Sequence, residues 1–147
     1  MTLVRVDVIT KEYPPNVYGG AGVHVVELVK ALRESIDVRV RAFGRVDDEA
    51  GTTGYPDIPA LASANPTLRT LGTDLLAAQD VAGADVVHSH TWYANAAGQL
   101  AQMLHDVPHV LTAHSLEPLR PGRPSSSAAG TASRAGSSGR PTRPRTP

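Results

Sequence analysis

Three short stretches hold most of the residues whose types and spacing could do chemistry. In the first, Gly19, Gly20 and Gly22 stand just ahead of an apolar-periodic segment, with His24 close behind. Glycines let a ligand approach the backbone, so Gly20 is expected to tolerate no bulk. If a helix starts here, its free amides and the positive end of its dipole suit an anion, most often phosphate. His24 would lie in the first helical turn facing that loop, although alone it reads as an exposed polar residue. In the second stretch, His88 and His90 precede Trp92 and Tyr93. Two residues apart on a strand, the histidines share one face, a spacing compatible with a two-histidine metal site. With no third ligand evident nearby, no metal is expected. His88 is expected instead to lie buried against a helix, with His90 at the rim of a crevice. Trp92 and Tyr93 suit a pocket wall and a core equally. The third stretch is His114 with Ser115 and Glu117. A neutral histidine there can donate to a sugar hydroxyl or a leaving phosphate oxygen, or serve as a capped loop residue.

The surrounding periodicities set the elements that must position these residues. A strand over 3–10 alternates Val4, Val6 and Val8 with Arg5 and Asp7, as if wet on one face, which is awkward for a central parallel strand. A helix over 21–35 lines up Val25, Leu28, Val29 and Leu32, and a strand over 37–43 puts Val38, Val40 and Ala42 opposite Asp37, Arg39 and Arg41. Residues 45–66, rich in turn formers, make a surface excursion with room for one short strand. A helix over 67–82 is expected to bury Leu68, Leu71, Leu75, Ala78 and Ala82 and to stop at Gly83. A strand over 85–90, a helix over 92–105 with Ala97, Leu100, Ala101 and Leu104 inward, and a strand over 109–113 complete the pattern. Strands alternating with helices imply an α/β fold, a mostly parallel sheet with helices on both faces. Ligands of such sheets sit beyond the carboxyl ends of the strands, where all three stretches fall.

The balance of charge is uneven although the net charge is zero: up to Pro121 there are 9 Lys and Arg against all 14 Asp and Glu, and beyond it 5 Arg and no acid. Residues 122–147 contain no Val, Leu, Ile, Met or aromatic residue and are expected to be a disordered basic tail. The absence of cysteine excludes disulfides and thiolate ligands. No apolar run approaches the roughly 20 residues that span a bilayer, and the N-terminus lacks a signal-peptide pattern, so a soluble, cytoplasmic protein without a membrane partner is expected. Val25 stands where a dinucleotide fingerprint needs its third glycine, and no Gly-Lys-Ser or Gly-Lys-Thr follows the loop, which disfavours NAD and excludes a Walker-type site.

Taken together, KEYPPNVYGGAGVHVVEL at 11–28, HSHTWYA at 88–94 and LTAHSLEPLRP at 111–121 resemble the amino-terminal domain of bacterial glycogen synthases, of the actinobacterial kind that also makes α-maltose 1-phosphate. The resemblance implies the amino-terminal half of a GT-B glycosyltransferase, a retaining enzyme with two facing Rossmann-like domains. Such enzymes move glucose from ADP-glucose to an α-1,4-glucan or to glucose 1-phosphate, with no required metal or cofactor. It further implies that Gly19, Gly20 and Gly22, with His24, approach the donor diphosphate. His90 and Trp92 would belong to the acceptor and sugar side, and His114 would contact the donor glucose as the catalytic residue. The match runs over about 2–121, giving a domain at 1–121, and gives way to a tail at 122–147 that reads like another frame. The second, nucleotide-gripping domain of the family lies outside this sequence, so the chain alone is expected to be inactive. A stand-alone sugar- or phosphate-binding module is the alternative, and an inert domain whose basic tail sticks weakly, without specificity, to nucleic acid or anionic surfaces is a third reading.

Overall fold

Strands and helices alternate along residues 3–115, the part of the chain that the computed structural model describes. In order they are β1 (Arg5–Thr10), α1 (Gly20–Leu32), β2 (Asp37–Phe43), β3 (Thr52–Tyr55), a single 3-10 turn (Pro59–Leu61), α2 (Pro66–Gln79), β4 (Val86–His90), α3 (Thr91–His105) and β5 (His109–Thr112). Glu117 and the tail at 122–147 lie outside the described residues. Every strand pairing is parallel and the order is β3-β2-β1-β4-β5. The chain leaves β1 toward one edge and returns to fill the other, so the order reverses between β1 and β4. A crevice opens at such a point, above the carboxyl ends of the strands.

Helices cover both faces, as the alternating pattern predicts. On one face Val8, Val38, Val40 and Ala42 pack against Val25 and Val29 of α1. On the other, Ile9 and Val87 meet the alanines of α2 and α3, Ala77, Ala78, Ala94, Ala97 and Ala101. The polar side of β1 is not wet. Asp7 is fully buried and takes two bonds from Arg5 (2.8 and 3.0 Å) and one from Arg41 Nε (2.9 Å), while Arg41 Nη1 reaches Thr53 Oγ1 at 3.0 Å. An alternating polar pattern therefore marks an internal ion cluster here, because a buried carboxylate is tolerated when its charge and lone pairs are both met.

The face of α2 differs from the leucine stripe expected of it. Gly72, Thr73, Asp74, Ala77 and Ala78 are buried, whereas Leu68, Leu71 and Leu75 are exposed. Small side chains let α2 approach α3 and the Leu61 and Ile58 side chains closely, and a Cβ on Gly72 would lie 2.9 Å from Ile58 Cδ1. Backbone proximity thus outweighs the burial of larger residues on this helix. Leu104 of α3, expected inward, is likewise exposed. Helix ends fall short of expectation too. α1 gives way after Leu32, where the Ser35 amide takes the Leu32 carbonyl at 3.0 Å in an i→i+3 turn. α2 stops at Gln79, with Asp80 accepting a bond from the Tyr55 hydroxyl at 2.8 Å and Gly83 at φ +81 turning the chain toward β4.

Candidate functional site at the carboxyl ends of the strands

The glycine loop caps α1 without any side-chain cap, Gly19 being the N-cap in extended conformation. An acid that the sequence reading passed over completes it. Glu12, 8% exposed, turns its Oε2 onto the amides of Tyr18 (3.2 Å) and Gly19 (2.8 Å), so the chain's own carboxylate meets part of the anion-binding capacity expected of this loop. The next three amides, of Gly20, Ala21 and Gly22, precede the first intrahelical bond, from Val23 to Gly19, and are the donors at the helix start. The demand for glycine also shifts from its expected place. Gly20 has open space around a would-be Cβ and no positive φ, so bulk there meets no steric penalty from the turn. Gly22 carries the constraint: its Cβ would fall 2.7 Å from Glu12 Oε2 and 2.8 Å from Glu12 Cβ.

Three histidines from three elements meet beside this loop. β4 points His88 and His90 to the α1 side of the sheet, α1 supplies His24, and the turn after β5 supplies His114, whose φ of +39 is rare for a residue with a Cβ. His90 Nδ1 and His114 Nε2 are 3.0 Å apart, and the His24 ring lies 5.8 Å from that of His90 and 5.1 Å from that of His114. The expected roles of the β4 pair are corrected here. His90 is fully buried rather than at a rim, because His88, His24 and His114 close around it. His88 is half-buried and bonds sideways to Thr112 Oγ1 of β5 at 2.8 Å. Burial, then the neighbouring His88, His114 and His24, push the His90 pKa down to about 3. Burial also lowers His114, assisted by His24 and opposed by the charge of Glu12. Both rings are therefore neutral near pH 7, each with one donor and one acceptor nitrogen.

Trp92 and Tyr93 are pocket wall, not core. Trp92 is 59% exposed and its ring centroid lies 3.8 Å from that of Tyr93, over which Lys11 Nζ sits at 3.7 Å. With Tyr18 and Arg69 these residues line an open crevice of about 480 Å³. Its lining holds two cations and five aromatic rings and does not include the histidines. The structure thus groups His24, His90 and His114 with the glycine loop, and sets Trp92 in a neighbouring crevice joined to that loop at Tyr18. Lys11 and Arg69 carried no site signal in the sequence, since only the fold brings the loop after β1 and the start of α2 to one crevice.

Residues 18–141 match Glycosyltransferase Family 4, and the chain belongs to that family, as the amino-terminal domain of a GT-B enzyme. It is 56% identical over 117 residues to the α-maltose-1-phosphate synthase of Mycobacterium tuberculosis, in strains CDC 1551 and H37Rv alike. Identity to the α-maltose-1-phosphate synthase of Mycolicibacterium smegmatis is also 56%. Each alignment takes in 80% of this chain and 30% of the relative, so the chain spans less than a third of the length of these proteins. No helix among the described residues is long and apolar enough to cross a membrane.

Proposed function

We propose that residues 3–115 form one wall of a retaining glucosyltransferase cleft in which glucose moves from ADP-glucose to an α-1,4-glucan or to glucose 1-phosphate. The observation that carries this is the convergence of the glycine loop, His90 and His114 at the carboxyl ends of β1, β4 and β5. Its support is 56% identity to proteins named for making α-maltose 1-phosphate. The amides of Gly20, Ala21 and Gly22 face the donor diphosphate, which gains negative charge as the glucosyl bond breaks. His24, exposed on the first turn of α1, borders the same anion. His114, neutral and exposed, donates a hydrogen bond to the donor glucose. His90 is too buried to touch sugar and acts as a positioning residue, its Nδ1 bonded to His114 Nε2. On the acceptor side, the Trp92 face suits a glucose ring, while Lys11 and Arg69 suit the phosphate of glucose 1-phosphate. This chemistry invokes no metal or cofactor, and with a nucleotide-sugar donor its place is the cytoplasm.

The test is a chimera in which this chain's matching 117 residues replace their counterpart in the Mycobacterium tuberculosis protein. Release of ADP from ADP-glucose is followed with either acceptor. Transfer that falls about 100-fold in His114→Ala, with the fold retained by circular dichroism, is the expected result. A folded chimera that transfers nothing, or one indifferent to His114→Ala, refutes the reading.

A further inference from the structure

His24, His90 and His114 each bring one ring nitrogen to within 4.8 Å of the other two. Tetrahedral zinc holds imidazole nitrogens at about 2.0–2.1 Å, which sets bound nitrogens about 3.3 Å from one another. His90 Nδ1 and His114 Nε2 are already 3.0 Å apart, and rotation of the exposed His24 side chain, at the start of α1, closes the remaining gap. His90 is wholly buried, and its ring turns Nδ1 toward this spot. Three imidazoles meet at one spot, and the His90–His114 contact engages only two of them. His88, although stacked 4.1 Å from His90, is engaged by Thr112 and is not part of the set. Glu12 supplies negative charge that is felt at His114, a field that favours a cation.

We propose that these three histidines form a binding site for a divalent transition metal, with three imidazole ligands and a fourth position open to solvent on the exposed side of His24 and His114. An all-nitrogen set selects zinc, nickel, copper or cobalt over magnesium and calcium, which require oxygen. The pair two apart on β4 is not the site that its spacing advertises, because only His90 of that pair takes part and the other ligands come from elements 66 and 24 residues away along the chain. Glucosyl transfer as proposed above uses no metal, so an occupied site withdraws His114 from the sugar and makes the metal an inhibitor of the complete enzyme. That consequence rests on the proposed function, whereas metal binding does not.

The experiment uses the 147-residue chain without an affinity tag, stripped with chelator. Zn²⁺ is titrated in competition with a chromogenic chelator, and Co²⁺ is added separately to follow the visible absorption of four-coordinate cobalt. One equivalent is expected to bind with a micromolar or lower Kd, to raise the thermal midpoint and to give the tetrahedral cobalt spectrum, while Mg²⁺ does neither. His24→Ala and His114→Ala, both at exposed positions, are each expected to weaken binding by at least about 10-fold, and His105→Ala to leave it unchanged. Failure of the folded chain to bind at about 100 µM Zn²⁺, or binding unaffected by both His24→Ala and His114→Ala, overturns the proposal.

Discussion

Asp74 is a carboxylate with no compensating partner, and removing its charge should stabilise the chain at neutral and higher pH. Its side chain lies where α2 packs on α3, only 1% exposed, and neither oxygen makes a well-formed hydrogen bond among the described residues. Burial pushes its pKa from 3.8 up to about 7, with the Ala97 backbone amide offsetting only part of the effect. Below pH 4 the group is protonated in both folded and unfolded chains and contributes nothing to the pH dependence. Between about pH 4 and 7 the folded chain holds one proton more than the unfolded chain, so stability falls as pH rises, by about 1.4 kcal/mol per unit. Over that window the loss is about 4 kcal/mol, a large part of what a small domain has, and above pH 7 it stays constant. Asp74→Asn keeps the shape and cannot ionise, but adds an amide whose own burial costs about 1–3 kcal/mol. Urea unfolding followed by far-ultraviolet circular dichroism should therefore show the variant ahead of wild type at pH 8 by about 1–3 kcal/mol, or roughly 1 M in midpoint, and behind it at pH 4. Because all other groups titrate in both proteins, the difference between the two curves isolates Asp74. Parallel curves from pH 5 to 8, or a variant weaker than wild type at pH 8, would refute the reasoning.

Other substitutions separate structural from permissive positions. Gly22→Ala drives a methyl into Glu12 and should cost about 1–3 kcal/mol in urea unfolding, whereas Gly20→Ala, with open space, should be neutral or stabilise by up to about 1 kcal/mol; equal effects would mean that Glu12 does not set the loop. Arg41→Met leaves the buried Asp7 with Arg5 alone and should lower stability by about 3 kcal/mol, so a midpoint within error of wild type would show the ion cluster to be dispensable. The 147-residue chain assayed by itself should bind ADP-glucose no more tightly than about millimolar, since a helix start and one histidine contribute little against the cost of immobilising a nucleotide sugar; micromolar binding by calorimetry would point to a self-sufficient domain.

Local chemistry left clear marks on this chain. Val-rich runs alternating with helical periods, glycines after β1 and polar residues at strand ends announced a parallel α/β sheet and the edge on which its site lies, because strand, helix and turn preferences act over a few residues. Three motifs read in order were enough to indicate the glycosyltransferase family. What needed the tertiary structure was every relation between residues distant in the chain. Asp7 looked solvent-facing until Arg41 came across from β2, and the leucines of α2 looked buried until Gly72, Ala77 and Ala78 took the buried face instead. The glycine loop looked open to an anion until Glu12 turned back onto it. His90 looked like a rim residue beside His88, yet it became the buried centre of a cluster with His24 and His114. The reason is common to all four: side-chain periodicity specifies which face a residue occupies, but only chain topology and close packing decide what stands opposite that face.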